Sequence, residues 1–267
     1  MVVAADTTEV NLSDTSFRFL TAVKSESDQL FHHAIAILHA PRYGTENSGA
    51  LSTDWPRVPL PSTANTLAAS AALGRQVAAL LDCEQPVPRV TVSPVRPELR
   101  AIGIVSTAFG KLDPDSGDLD ITAGWGHPGK GGITMPAKGK LIQREFTPDE
   151  RAVLAEGARA LSMSAARLTA LLGATTYDVF LNDKVYWKNI PAAVWEYTLG
   201  GYQVIKKWLS YREKKLLGRS ISKDEARYVA EIARRIAALL LMGPALDANY
   251  EAVKRHPYPW SVRSTVA

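Results

Sequence analysis

"NIPAAVWEYTLGGYQVIKKWLSYREKK" (residues 189–215) joins two kinds of sequence, and the point where one becomes the other sets the fold class. Just upstream, "TTYDVFLN" (residues 175–182) alternates apolar and polar side chains, the period of a half-buried strand. Inside the quoted stretch the period changes. Val204, Ile205, Trp208, Leu209 and, further on, Leu216 recur at helical spacing, with Gly218 just past the end as a stop. Gly200-Gly201 falls where that helix is expected to begin. Trp195 and Trp208 read as core aromatics on the apolar face. Lys206, Lys207, Lys214 and Lys215 lie off that face, so the segment reads as a helix with an apolar side and a basic side.

Working outward, "DQLFHHAIAILHAPRY" (residues 28–43) is an amphipathic helix with Ser25 as its N-cap and Pro41 closing it. "DWPRVPLPS" (residues 54–62) is extended, because each proline pushes its predecessor out of the helical region. "TLAASAALGRQVAALLD" (residues 66–82) is a second helix. The middle of the chain is rich in β-branched residues and prolines, with strands expected at Ala101–Thr107, Asp118–Thr122 and Lys140–Phe146 and a turn at "DPDSGD" (residues 113–118). Thr147, Pro148 and Glu150 open a helix with a capping box. Ser222 and Glu225 open another, expected to end at Met242 because Gly243-Pro244 follows. The fold class is α+β: N-terminal helices, a central mainly antiparallel β region and a C-terminal helical part. The expected organisation is a loose arm over 1–25, a helical segment over 26–82 and the main domain over 83–267.

The single cysteine, Cys83, leaves no internal disulfide and suits a reducing compartment. No apolar run reaches the roughly 18–20 residues that span a bilayer, and the N-terminus lacks the basic start of a secretory signal. A cytoplasmic protein without a membrane partner is therefore expected. The net charge of +4 is unevenly spread: residues 184–267 hold 15 Lys and Arg against 7 Asp and Glu, while residues 1–183 hold 16 against 20. That asymmetry favours an anionic partner, with nucleic acid the commonest, against the blander reading of a solvated helix face.

Most motifs that suggest chemistry fail on inspection. "GWGHPGKGG" (residues 124–132) fits both a dinucleotide fingerprint and the first seven positions of a P-loop, but either needs a helix directly after it. "GGITMPAKGK" (residues 131–140) cannot start one, and Gly131 stands where magnesium would need Ser or Thr. "DPDSGDLD" (residues 113–120) lacks the glycine and glutamate of a calcium loop. The five histidines show no zinc spacing and read as packed or hydrogen-bonded residues. No nucleophile elbow occurs. The sequence thus offers no catalytic residue and no metal site, and the basic set remains. Lys184, Lys188, Lys206, Lys207, Arg212, Lys214 and Lys215 are the candidates for phosphate contact. Asn189, Gln203, Trp125, His127 and Lys130 are candidates for base edges or for the loop that approaches them.

The stretch "DVFLNDKVYWKNIPAAVWEYTLGGYQVIKKWLSYRE" (residues 178–213) resembles the C-terminal specificity region of type ISP restriction–modification enzymes. "FHHAIAILHAPRY" (Phe31–Tyr43), "DWPRVPLP" (Asp54–Pro61), "TAGWGHPGKGGITMP" and "ARRIAALLLMGPALDANY" extend the likeness over roughly Leu30 to Trp260. Such enzymes are single polypeptides with nuclease, translocase, adenine-N6 methyltransferase and target-recognition domains. The resemblance therefore implies a sequence-specific duplex DNA recognition domain, noncatalytic on its own. It would work beside methyltransferase and translocase domains or subunits, and S-adenosylmethionine and ATP are expected only in those. The chain has neither the glycine-rich cofactor motif nor the (N/D)-P-P-(Y/F) motif of the methyltransferase. Two other readings stay open: an interaction module that has lost DNA binding and docks a partner, and a nucleotide-binding enzyme acting through the Gly124–Gly132 loop.

Overall fold

The computed structural model describes residues 11–260. The chain divides into two compact units, Met1–Leu81 with Met242–Ala267, and Asp82–Leu241. The first unit contains α1 (Asp14–Val23), α2 (Ser27–Leu38), α3 (Pro41–Glu46), α4 (Ser48–Leu51) and α5 (Ala64–Leu81). Ser13 caps α1 by accepting the Ser16 amide, and Phe19, Leu20 and Val23 pack with Leu67 of α5. From Asp14 onward the stretch expected to be a loose arm is an anchored helix, because three apolar residues on one face find a core; the first ten residues lie outside the described ones.

Helices α2 and α5 pack closely. A Cβ on Gly74 would sit 1.7 Å from the His32 carbonyl oxygen, so only glycine fits there. His33, fully buried, donates through Nε2 to the Pro59 carbonyl at 2.9 Å and accepts at Nδ1 from the Ser70 hydroxyl at 2.7 Å. Burial lowers its pKa against the opposing pull of that carbonyl. It is a core histidine, as the sequence reading expects.

The second unit runs α6 (Pro97–Arg100), β1 (Ile104–Thr107), β2 (Gly126–Pro128), β3 (Thr134–Pro136), β4 (Leu141–Arg144), α7 (Pro148–Ala160), α8 (Ala165–Leu172), β5 (Thr176–Phe180), β6 (Val185–Pro191), α9 (Ala192–Glu196), β7 (Thr198–Leu199), β8 (Tyr202–Gln203), α10 (Val204–Ser210), α11 (Lys214–Leu217) and the start of α12 (Lys223–Arg255). Strands β1, β6, β5 and β4 pair in that order into an antiparallel sheet, which places the fold in the α+β class. The start of α12, within this unit, lies directly on the sheet. Trp187 of β6 is fully buried and donates through Nε1 to the Ala226 carbonyl, and a Cβ on Gly103 would meet the Ala230 Cα at 2.9 Å.

One edge of the sheet is fastened by charge. Arg144 donates Nε and Nη2 to Asp178 at 2.8 and 3.0 Å, and Nη1 and Nη2 to Glu150 at 2.8 and 2.9 Å. Glu150 also closes the capping box with Thr147 that starts α7. The hydrogen bonds that Arg144 donates to Glu150 and Asp178 outweigh burial and raise its pKa.

Three local expectations are corrected. Asp118–Thr122 forms no strand; it is a loop whose Asp118 and Asp120 carbonyls each accept the Asn182 side-chain amide at 2.9 Å. The helix expected to end at Met242 runs on to Arg255 through Pro244. Tertiary packing overrides the local penalty there, with Pro41 3.4 Å from where a Gly243 Cβ would stand. The single helix expected over 201–218 is two short ones, because buried Glu213 accepts the Trp125 amide and the Lys214 amide donates to the Ile121 carbonyl, which pulls the chain out of helical path. No helix among the described residues is long and apolar enough to cross a membrane.

Candidate nucleic-acid interface

All twelve candidate residues fall in the second unit, and three of them, Trp125, His127 and Lys130, belong to the glycine-rich segment. "GWGHPGKGGITMP" is a hairpin: β2 pairs with β3 in the register Gly126–Pro136, His127–Met135, Pro128–Thr134, and the Gly129 amide donates to the Ile133 carbonyl across the turn. No helix follows, so the phosphate cradle of a nucleotide site does not form. Of its glycines, Gly126 serves close packing, whereas Gly124, Gly131 and Gly132 take positive φ with nothing within 4 Å of an added Cβ. A Cβ on Gly126 would stand 2.0 Å from the Ser210 carbonyl oxygen, and one on Gly139 2.0 Å from the Trp125 ring.

Trp125, expected near DNA bases, is fully buried. Its Nε1 donates to the Phe180 carbonyl at 2.7 Å and its ring stands edge-on to Trp195 at 5.3 Å. A side chain held that way cannot reach a groove. Asn189 is likewise buried, in the left-handed region at φ 60°, with its side-chain amide donating to the Ala101 carbonyl. Its place is in the sheet and not on the surface. Gln203 is half-buried, 3.4 Å from the Trp195 carbonyl it donates to. His127 and Lys130 remain exposed on the hairpin.

Gly200-Gly201 does not open a helix. It forms the two-residue turn between β7 and β8, with φ of 57° and 82°, the left-handed pair that a tight hairpin demands. Cross-strand neighbours Leu199 and Tyr202 flank the turn and are exposed. Helix α10 starts two residues later. Between the hairpin, α10 and the base of the glycine hairpin lies a shallow cleft of about 190 Å³ lined by Pro136, Gly201, Tyr202, Gln203, Lys206 and Lys207. The Lys207 ammonium sits between two tyrosines, 4.5 Å from the Tyr202 ring centre and 4.8 Å from that of Tyr211.

The seven candidate phosphate contacts separate by partner. Lys184 donates to Asp118 at 2.6 Å and Lys214 to Asp120 at 2.6 Å. Lys188 is 3.9 Å from Glu150. Arg212 stacks on Trp208, 3.9 Å from the ring centre, and lies 3.6 Å from Glu225. The Lys184 ammonium, with the Asp113 amide, lowers the Asp118 pKa. Burial alone would raise that of Asp120, but hydrogen bonds from Lys214 and Ser220 outweigh it and the net shift is downward. Lys206, Lys207 and Lys215 have no carboxylate partner among the described residues. Two of the three line the cleft, and α11, which carries Lys215, packs against β2.

The type ISP C-terminal specificity domain, as a family, matches residues 3–239. The chain belongs to that family. No curated protein matches the chain. One solved structure, a cryoEM structure of a DrdV–DNA complex, aligns over 93% of this chain and 20% of its own at 19% identity, with a TM-score of 0.41. The chain therefore spans about a fifth of that protein's length.

For a type ISP specificity domain, the sequence reading located the basic helix but missed the two hairpins beside it. The signal was present. A glycine pair flanked by Leu199 and Tyr202 fits the rule for a two-residue hairpin loop, and the helical spacing of Val204 onward drew the helix start one turn too early.

Proposed function

We propose that the chain is a target-recognition module of a restriction–modification system, which binds duplex DNA sequence-specifically and performs no chemistry itself. The observation that carries this reading is the set Lys206, Lys207 and Lys215, cationic side chains with no carboxylate partner among the described residues, grouped around exposed hairpins in a type ISP specificity domain. Such lysines meet phosphates without first giving up an internal ion pair. Lys130 adds an exposed cation on the glycine hairpin, where His127 is also exposed. Adenine-N6 methylation, with S-adenosylmethionine, and ATP-driven translocation belong in this reading to separate domains or subunits, whose target base is taken out of the stack.

The test is binding selection from a random duplex library at low and at physiological salt, followed by sequencing. An enriched motif that survives physiological salt is the expected result. Binding without enrichment, lost as salt rises, would reduce the module to a phosphate grip. No binding at either salt overturns the proposal in favour of a docking module.

A further inference from the structure

Four large apolar side chains stand out from the two hairpins that border the cleft. Leu199 is 60% exposed and Tyr202 56%, while Ile133 and Met135 on the glycine hairpin are 64% and 46% exposed. Hairpin tips usually carry polar residues, since apolar surface there gains nothing from folding. The β7–β8 tip also has a defined register. Its two-residue turn fixes Leu199 opposite Tyr202, so both project from one face of the ribbon. Directly behind the tip, the cleft is lined by Lys206 and Lys207 and by no acidic side chain. An apolar blade backed by cations that have no carboxylate partner among the described residues complements a polyanion that has apolar surface inside it. Duplex DNA, with phosphates outside and stacked bases within, is that partner.

We infer that the β7–β8 tip, Leu199 with Tyr202, is an apolar wedge that presses between base pairs of the bound duplex while Lys206 and Lys207 hold the adjoining phosphates. This rests on the reading of the chain as a DNA-binding module and adds what touches the bases. Ile133 and Met135 supply a second apolar contact from the neighbouring hairpin. Inserted side chains of this kind unstack a step and bend the duplex, and the sequence dependence of that deformation supplies specificity with few base-edge hydrogen bonds. The placement of Asn189 and Trp125 in the interior fits, because it removes two of the candidate polar or aromatic base readers from the surface.

The experiment uses the full chain with a roughly 30-bp duplex pool from the binding selection, carrying 2-aminopurine at successive positions and a fluorophore pair at its ends. Wild type is expected to raise 2-aminopurine emission at one step and to shorten the end-to-end distance. Leu199→Ser should abolish both changes and weaken binding roughly tenfold at an unaltered salt slope. Leu199→Met should restore them. The double variant Lys206→Glu, Lys207→Glu should flatten the salt slope yet keep the emission change at saturating protein. Emission unchanged at every position in a wild-type complex, or Leu199→Ser behaving as wild type with an unchanged melting temperature, overturns the wedge while salt-dependent binding leaves the module reading intact. Absence of any binding by wild type overturns both.

Discussion

Lys184 and Lys207 lie in one unit, in neighbouring sequence, and face opposite fates. In the loop before β2, the Asp118 and Asp120 carboxylates take up Lys184 and Lys214, and Asn182 ties the loop backbone to the β5–β6 turn. These cations are internal fasteners. Across α10 and the hairpins, Lys206 and Lys207 meet no carboxylate among the described residues, and Lys207 rests against two tyrosine faces. A cation–π contact is worth about 0.5–1 kcal/mol at an exposed site, so it holds the ammonium in place without neutralising it. A count of lysines treats the two groups alike, whereas the distribution of carboxylates around them separates scaffold from contact surface.

The contrast is broken most severely at Arg144, the extreme of the paired class. Arg144→Met leaves Asp178 and Glu150 without their shared guanidinium at the sheet edge and at the start of α7. We expect a loss of about 3 kcal/mol in chemical denaturation. Duplex affinity measured well below the unfolding transition should be unchanged. A variant of wild-type stability would mean the node is not structural.

Next comes the opposite case. Lys206→Glu with Lys207→Glu should cost no more than about 1–2 kcal/mol of stability, the two cation–π contacts of Lys207, since both residues are only half-buried and pair with no carboxylate among the described residues. Affinity for a duplex pool at low salt should fall by roughly two orders of magnitude and the salt slope should flatten by about 2. Equal affinity would place the DNA-binding face elsewhere on the unit.

How much of this was legible follows from what each signal depends on. The capping boxes at Thr147–Glu150 and Ser222–Glu225 form as read, because both halves of each lie three residues apart. Strands β1, β4 and β5 fall within their expected segments for the same reason: alternation is local. Trp125 and Glu213 are 88 residues apart in sequence, so nothing nearby marks that tryptophan as interior or breaks the helix at Arg212. The basic stretch was visible as composition, but pairing of Lys184 with Asp118 and of Lys214 with Asp120 spans 66 and 94 residues. The division between fastening and contacting lysines therefore could not be seen before the fold was.

A smaller effect sharpens the contrast from the other side. Asp120→Asn retains an acceptor for the Ser220 hydroxyl but releases Lys214, which stands beside exposed Lys215 on α11. Low-salt affinity for a random duplex pool should rise about threefold, with a steeper salt slope. An unchanged slope would show that Lys214 lies outside the reach of DNA even when released.

The smallest predicted effect is the pH dependence of the fasteners. Asp118 and Asp120 have folded pKa values below their ordinary 3.8, and Arg219 with the Ser222 amide holds Glu225 at about 2 against an ordinary 4.5. Carboxyls depressed in the folded state contribute stability that is complete above the unfolded values. It is lost as pH falls, because the unfolded chain takes up protons first. The wild-type melting temperature should thus decline from about pH 4.5 downward, steepening below 3.8 as Asp118 and Asp120 join Glu225. Asp118→Asn with Asp120→Asn should melt lower at neutral pH and decline less below 3.8, since the groups that titrate there are gone. Lys206, Lys207 and Lys215 have no carboxylate partner among the described residues and contribute no such loss to that curve. If the double variant and wild type decline in parallel, the fasteners do not contribute to folding stability, and the line between the two lysine classes would then rest on the DNA measurements alone.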